Sequence, residues 1–229
     1  NRPIVGTLDS KPRNPFLPFD TNLLVSELNS DFILIFNKFC VVPEHLLIIT
    51  KEFVEQSAEY SGKDFQVVRD VLMGLKDVRP MAFYNSGPEA GASQIHRHFQ
   101  VIPTESIPIE AHIESVDKFD EPFTIPLYSS FVHACIRRNS DAFSNDWHFE
   151  AYHKLKSACL KENGVFSSFN LIWTLDWMLF VPRSREFTLD GINSLNAMAF
   201  AGYFLVMSED NLECFNVIKA LEEVTIPVQ

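Results

Sequence analysis

Three side chains in one short stretch have the types and spacing for group-transfer chemistry. They are His96, His98 and Gln100, a His-x-His-x-Gln string inside NSGPEAGASQIHRHFQVIP, residues Asn85 to Pro103. On a β-strand alternate side chains share a face, roughly 6.5–7 Å apart. All three are therefore predicted on one face of a strand over Gln94–Pro103, with Arg97, Phe99 and Val101 on the other. A neutral imidazole attacks phosphorus well, and histidine, with a pKa near 6.5, is largely neutral at pH 7. Immediately upstream, Gly91-Ala92-Ser93-Gln94 provides small residues, backbone N–H groups and a hydroxyl that can approach a ligand closely. Such donors beside two imidazoles suit a phosphate under nucleophilic attack. The same two histidines also fit an inert polar strand face, or half of a zinc site. Zinc needs three or four ligands, and no clustered Cys or Glu follows.

Several elements must position this stretch. Strands are predicted at Leu23–Leu28, Phe32–Asn37 and Leu46–Thr50, the last two joined by a tight connection through Val41-Val42-Pro43-Glu44. Phe65, Val68, Val71, Leu72 and Leu75 repeat close to every 3.6 residues and predict a helix over Lys63–Leu75. Met81–Asn85 is the strand that delivers the Gly-rich turn. Residues 104–127, with several prolines and acidic residues, read as a connecting arm. A strand over Ser129–Ile136 and a helix over Asp146–Lys161 follow; Asp146 and Glu150 sit at the helix's positive end, and Asn163-Gly164 closes it. Phe169–Thr174 and Trp177–Pro182 form a predicted hairpin, and Ile192–Met207 a predicted helix after a polar start. Strands flanked by a few helices imply an α+β fold rather than a doubly wound sheet.

At 229 residues the chain has room for one large or two small domains. Its 46% hydrophobic and 21% charged content is that of a soluble globular protein. There is no apolar run long enough for a membrane span and no signal-peptide pattern, so a cytoplasmic location without membrane contact is expected. The chain opens on Asn1 rather than Met, as a chain missing its true amino terminus would. Cys40, Cys135, Cys159 and Cys214 are widely spaced and read as small buried hydrophobes in a reducing compartment. A net charge of −11 excludes nonspecific nucleic-acid binding, which needs a basic footprint. For a polyphosphate the same charge poses a problem. Either a few lysines and backbone donors make the pocket locally positive, or the ligand arrives with Mg²⁺.

The whole string around His98 resembles the active-site motif of the histidine-triad superfamily, in the transferase branch where glutamine replaces the third histidine. It is most similar to the Ap4A phosphorylase, or ATP adenylyltransferase, family. NPFLPFDTNLLVSEL (14–28), FNKFCVVPEHLLIITKEFVEQ (36–56), FNLIWTLDWMLFVPRSRE (169–186) and INSLNAMAFAGYFLV (192–206) resemble that family too, in the family's order. The resemblance implies a histidine-triad-like antiparallel sheet over residues 1–127 and a carboxyl-terminal part, 128–229, completing the nucleotide cleft. It implies a nucleotidyltransferase that splits Ap4A with phosphate into ATP and ADP through an AMP-histidine intermediate. His98 is then the nucleophile, His96 supports its neighbourhood, and Gln100 hydrogen-bonds phosphoryl oxygens. Asn85, Gly91, Ala92, Ser93 and Gln94 match the phosphate-contacting loop. Asn37 and Lys38 match nucleoside and phosphate contacts, Lys38 being otherwise a surface residue. Lys11 matches a lysine that reaches the polyphosphate. The interval after it is longer in the family, so residues are expected to be missing near 12–14. Asn196, Ala197 and Met198, followed by Tyr203 and Met207, resemble the segment that closes the second nucleotide site, or else a packed apolar helix; relatives often carry a basic residue where Met207 stands. Lys51 reads as a surface residue, and Trp173, Trp177 and Met178 as core. The implied partners are a dinucleoside polyphosphate, ATP, ADP and phosphate, with no tightly bound cofactor or metal, in a monomer. A GDP-hexose phosphorylase with the same His-x-His-x-Gln site and a dinucleotide sensor without turnover are the other functions this site allows.

Overall fold

A computed structural model describes residues 14–40, 42–139, 144, 146–205 and 216–228. Lys11, Met207 and Cys214 lie outside these residues, as does the interval at 12–13. Eight strands make one sheet: β1 (Leu24–Glu27), β2 (Phe32–Phe36), β3 (Leu46–Thr50), β4 (Pro80–Asn85), β5 (His98–Pro103), β6 (Ala134–Arg137), β7 (Ser168–Trp173) and β8 (Trp177–Arg183). Their spatial order is β1-β2-β3-β5-β4-β7-β8-β6, and every pairing is antiparallel. The pairing of β4 with β7, Asn85 opposite Asn170, joins the two halves of the chain into one sheet. The fold is the predicted α+β.

Both sheet faces are covered, which is why β4, β7 and β8 are buried along their whole length. On one face lie α1 (Gly62–Gly74) and α3 (Trp147–Asn163). Their Val68, Leu72, Tyr152 and Leu155 pack with Phe99, Val101, Leu171 and Trp173. Burying each such large side chain stabilises by roughly 1.5–3 kcal/mol. The opposite face carries two separate apolar patches. Phe16 covers Ile33, Ile35, Leu47 and Ile49 at one end. At the other, α2 (Glu110–Glu114), α4 (Ala197–Ala201) and α5 (Val217–Val224) contribute Ile113, Phe200 and Leu221 over Phe83, Ile102 and Ile172. His98 and Gln100 point to this face between the two patches, while Phe99 and Val101 enter the helical core, as period-two alternation requires.

Trp173, Trp177 and Met178 are core residues, as read from sequence. Lys51 is a surface residue that pairs with Glu27 at 2.7 Å. Four expectations are corrected. The strand holding the motif begins at His98, not Gln94. Residues 95–97 bond sideways to the 54–56 segment instead, Gln56 N to Ile95 O at 2.7 Å and Arg97 N to Val54 O at 2.8 Å. The arm at 104–127 contains α2. Of the helix expected over Ile192–Met207, the described residues form only Ala197–Ala201; Asn196 caps its start and Gly202, at φ +99°, its end. Cys40 is exposed, whereas Cys135 and Cys159 are buried; all three are free thiols.

Candidate active site

Both histidines are held in defined tautomers. His98 Nδ1 lies 2.8 Å from the carbonyl of His96, which can only accept, so Nδ1 carries the proton and the Nε2 lone pair is free. No described residue hydrogen-bonds Nε2. Burial draws the His98 pKa down to about 4, against the opposing hydrogen bond to His96 O. His96 Nε2 donates to Thr50, 3.0 Å from its carbonyl and 2.8 Å from Oγ1. Its Nδ1 accepts from Asn14 Nδ2 at 3.0 Å, the Asn14 amide being oriented by Phe16 N on Oδ1. Both ring nitrogens of His96 are thus engaged, and its carbonyl orients the ring of His98. Phe16 packs against both imidazoles, with centroids 5.6 and 5.4 Å away.

The backbone around His98 is fixed from two sides. On the reverse face Arg97 pairs with Asp64 at 3.1 Å, both nearly fully buried. Asp64 in turn closes the capping box of α1 with Ser61, whose N and Oγ both lie 2.8 Å from it. Beside His98, the buried Gln56 accepts from His98 N at 2.9 Å and donates to Asn85 O at 2.7 Å, so one side chain ties the strand of His98 to the start of the Gly-rich turn.

The turn itself divides its donors. Gly91 N and Ala92 N are spent on Pro88 O and Gly87 O, at 2.9 and 3.1 Å. Ser93 and Gln94 keep their N–H groups, and Ser93 its hydroxyl, without a partner among the described residues. Gly91 adopts φ +79°, and a Cβ there would stand 3.0 Å from Asn196 Cβ and 3.1 Å from Leu195 O. The glycine therefore admits the chain's own 195–196 segment, where ligand approach was the expectation. The buried Asn85 makes the same link, its Oδ1 accepting from Ala197 N at 3.0 Å and Asn170 Nδ2 at 2.8 Å.

Next to Gln100 opens a cavity of about 660 Å³, a volume suited to a nucleotide. Asn37, Gln100, Asn196, Met198 and Tyr203 line it, so residues from both halves of the chain meet there. Lys38 does not join them and lies instead 3.9 Å from Asp20 at the surface. His45, in the cavity wall, was missed by sequence reasoning. Asn37 Nδ2 donates to its Nδ1 at 3.2 Å, Asn37 Oδ1 being held by Phe39 N, so Nε2 carries the proton. Gln100 is the side chain beside His45, without a full hydrogen bond to Nε2. Burial lowers the pKa of His45 and of His96 as well, so the site is built of neutral imidazoles. Asn14, Thr50 and Gln56 were also missed. All three lie within the segments of family resemblance, which was the available signal. Among the described residues no three His, Cys, Asp or Glu gather as a metal site would need, and no helix is long and apolar enough to cross a membrane.

A pH dependence follows from these shifts. Buried His148, which donates to Thr174 O at 2.9 Å, is also drawn down to about 4. Well above pH 6.5 neither His98 nor His148 binds a proton, folded or unfolded. As pH falls through 6.5 the unfolded chain takes up protons that the folded chain refuses until about 4, so stability is lost across that window, on the order of 3 kcal/mol for each. Urea unfolding at pH 7, 5.5 and 4.5 should show this fall. Meanwhile kcat/KM should hold its His98-dependent limb near pH 4; a limb near 6.5 would contradict the buried, neutral imidazole.

An antiparallel α+β sheet that presents a neutral, backbone-oriented imidazole beside a nucleotide-sized cleft defines a nucleotidyltransferase of the histidine-triad type. Comparisons with known proteins agree. The family model of the Ap4A phosphorylase N-terminal domain matches residues 5–116, and that of the ATP adenylyltransferase C-terminal domain residues 127–227. The chain belongs to the Ap4A phosphorylase family. It is 32% identical to diadenosine 5',5'''-P1,P4-tetraphosphate phosphorylase 2 of Saccharomyces cerevisiae, over 90% of this chain and 72% of the relative. It is 28% identical to Protein APA1 of the same yeast, over 80% of this chain and 63% of that protein. The crystal structure of yeast Ap4A phosphorylase Apa2 superposes with a TM-score of 0.82 at 30% identity, covering 93% of this chain and 79% of that one. The same enzyme in complex with Ap4A gives 0.82 at 29% identity, covering 96% and 82%.

Proposed function

We propose that this chain cleaves Ap4A by phosphorolysis, yielding ATP and ADP, through an AMP-His98 intermediate. The observation that carries the proposal is the His98 Nδ1–H bond to His96 O, which leaves Nε2 unprotonated. Nε2 attacks the phosphorus of one terminal AMP unit. The bond from that phosphorus to the bridging oxygen breaks, and ATP leaves with the electron pair. Inorganic phosphate then attacks the same phosphorus, releasing His98 and forming ADP. Splitting one displacement into two lowers the barrier of each. Ser93 and Gln94 offer free donors to phosphoryl oxygens, Gln100 adds its amide, and the cavity beside it takes a nucleoside. His96 acts as a holder of His98, since both of its ring nitrogens are occupied. Any Mg²⁺ travels on the tetraphosphate.

The test withholds phosphate. Enzyme mixed with adenosine-labelled Ap4A and quenched rapidly should carry one acid-labile label on His98 and release one ATP per site. Added phosphate should discharge the label as ADP. Steady turnover with phosphate but no adduct without it would exclude the covalent route.

A further inference from the structure

The protein is acidic, yet its proposed substrate is a polyanion, and no Lys or Arg among the described residues lines the cavity. A cation lies behind the turn instead. Arg183, the last residue of β8, is only 2% exposed. Every acceptor of its guanidinium is neutral. Nε donates to Val224 O at 3.0 Å, Nη1 to Asn170 Oδ1, and Nη2 to Arg185 O at 2.8 Å and Leu195 O at 3.0 Å. It lies over the ring of Phe200, 5.3 Å from the centroid. Among the described residues no carboxylate forms an ion pair with it; Glu186 is the acid whose charge it feels. Burial lowers its pKa to about 9, which still leaves a cation at neutral pH.

A buried charge with no carboxylate in ion-pair contact is costly, so its place here points to an anion the site is built to meet. Two of its acceptors lead to the turn. Asn170 Nδ2 donates to Asn85 Oδ1 at 2.8 Å and to Ala90 O at 2.9 Å. Leu195 O, 3.0 Å from Nη2, stands 3.1 Å from where a Cβ on Gly91 would be. We propose that Arg183 is a positioning residue for the polyphosphate: it locks Asn170 and Leu195 against the turn, and its charge, bound by no carboxylate and one carbonyl behind Gly91, draws phosphates to Ser93 and Gln94. This rests on the turn being the phosphate site. A buried charge is weakly screened by salt.

The test compares adenosine, AMP and ATP binding to wild type, Arg183→Gln and Arg183→Lys by calorimetry. In Arg183→Gln, ATP affinity should fall ~10-fold or more, AMP affinity ~3-fold, and adenosine affinity little, because Coulomb attraction scales with ligand charge. Arg183→Lys should recover most of the ATP preference. Equal losses for all three ligands, or Lys no better than Gln, would reduce Arg183 to a structural part and overturn the proposal. Wild type binding adenosine as tightly as ATP would overturn the phosphate assignment of the turn, and the proposal with it. If Arg183→Gln does not fold, wild type labelled with ¹⁵N-arginine serves. The Arg183 Nε–H resonance, assigned by its loss in Arg183→Lys, should shift on adding ATP and not on adding adenosine. An unmoved resonance with ATP bound overturns the proposal.

Discussion

His98→Ala should reduce Ap4A turnover by at least ~10⁴-fold while the protein stays folded and still binds nucleotide. A general acid or base contributes ~10²–10⁴-fold, and removing a covalent nucleophile costs more because no other group can take the AMP. His98 is the one imidazole of the site with a nitrogen both unprotonated and unbonded; Thr50 and Asn14 occupy His96, and Asn37 occupies the acceptor nitrogen of His45. The substitution leaves His96 O without its donor, a loss of about 1–3 kcal/mol that a thermal melt should register as a modest shift. Stopped assays for ATP release, with circular dichroism on the same samples, make the check. A folded variant with a tenth of wild-type activity would remove His98 from the nucleophile's role.

The second large effect concerns which acceptor completes the reaction. Wild type should form ATP and ADP only with phosphate present, and release little AMP without it. Phosphate arrives as an anion and a nucleophile. Water needs a base, and Gln100, which has no titratable group, cannot be one. The imidazoles at hand do not replace it. His96 is bonded at both nitrogens, and the free nitrogen of His45 carries a proton. Gln100→His should therefore lower phosphorolysis and raise the hydrolytic share of product. The hydrolysis rate stays small because the remaining donors still suit phosphate. Chromatography of products with and without phosphate decides the matter. Rapid phosphate-independent AMP release by wild type would make this chain a hydrolase.

Much of the site could be read in one dimension because its geometry is local. The alternation that sends His98 and Gln100 to one face and Phe99 and Val101 to the other is a property of any strand, and it holds. The period of α1, the β7–β8 hairpin and the burial of Trp173 and Met178 also follow from short-range pattern. Family resemblance added the order of segments and the pairing of an amino-terminal site with a carboxyl-terminal cleft.

What the sequence left open depends on contacts far apart in the chain. Asn14 meets His96 across 82 positions, Thr50 meets it across 46, and Ala197 N reaches Asn85 across 112. No periodicity encodes such contacts, since they arise only when the sheet brings β3, β4, β5 and β7 side by side. The tautomer of His98 was equally hidden, because a carbonyl acceptor has no signature in residue type. Gly91 shows the same limit from the other direction. Its identity signalled a close approach, and only the fold could decide that the approaching group is the chain's own Leu195–Asn196. From sequence alone came the chemistry available to this protein: imidazoles beside a glutamine and a small-residue turn. Tertiary structure decided which nitrogen holds the proton, which donors stay free and where a buried cation stands, because each is set by neighbours that the chain supplies only once it has folded.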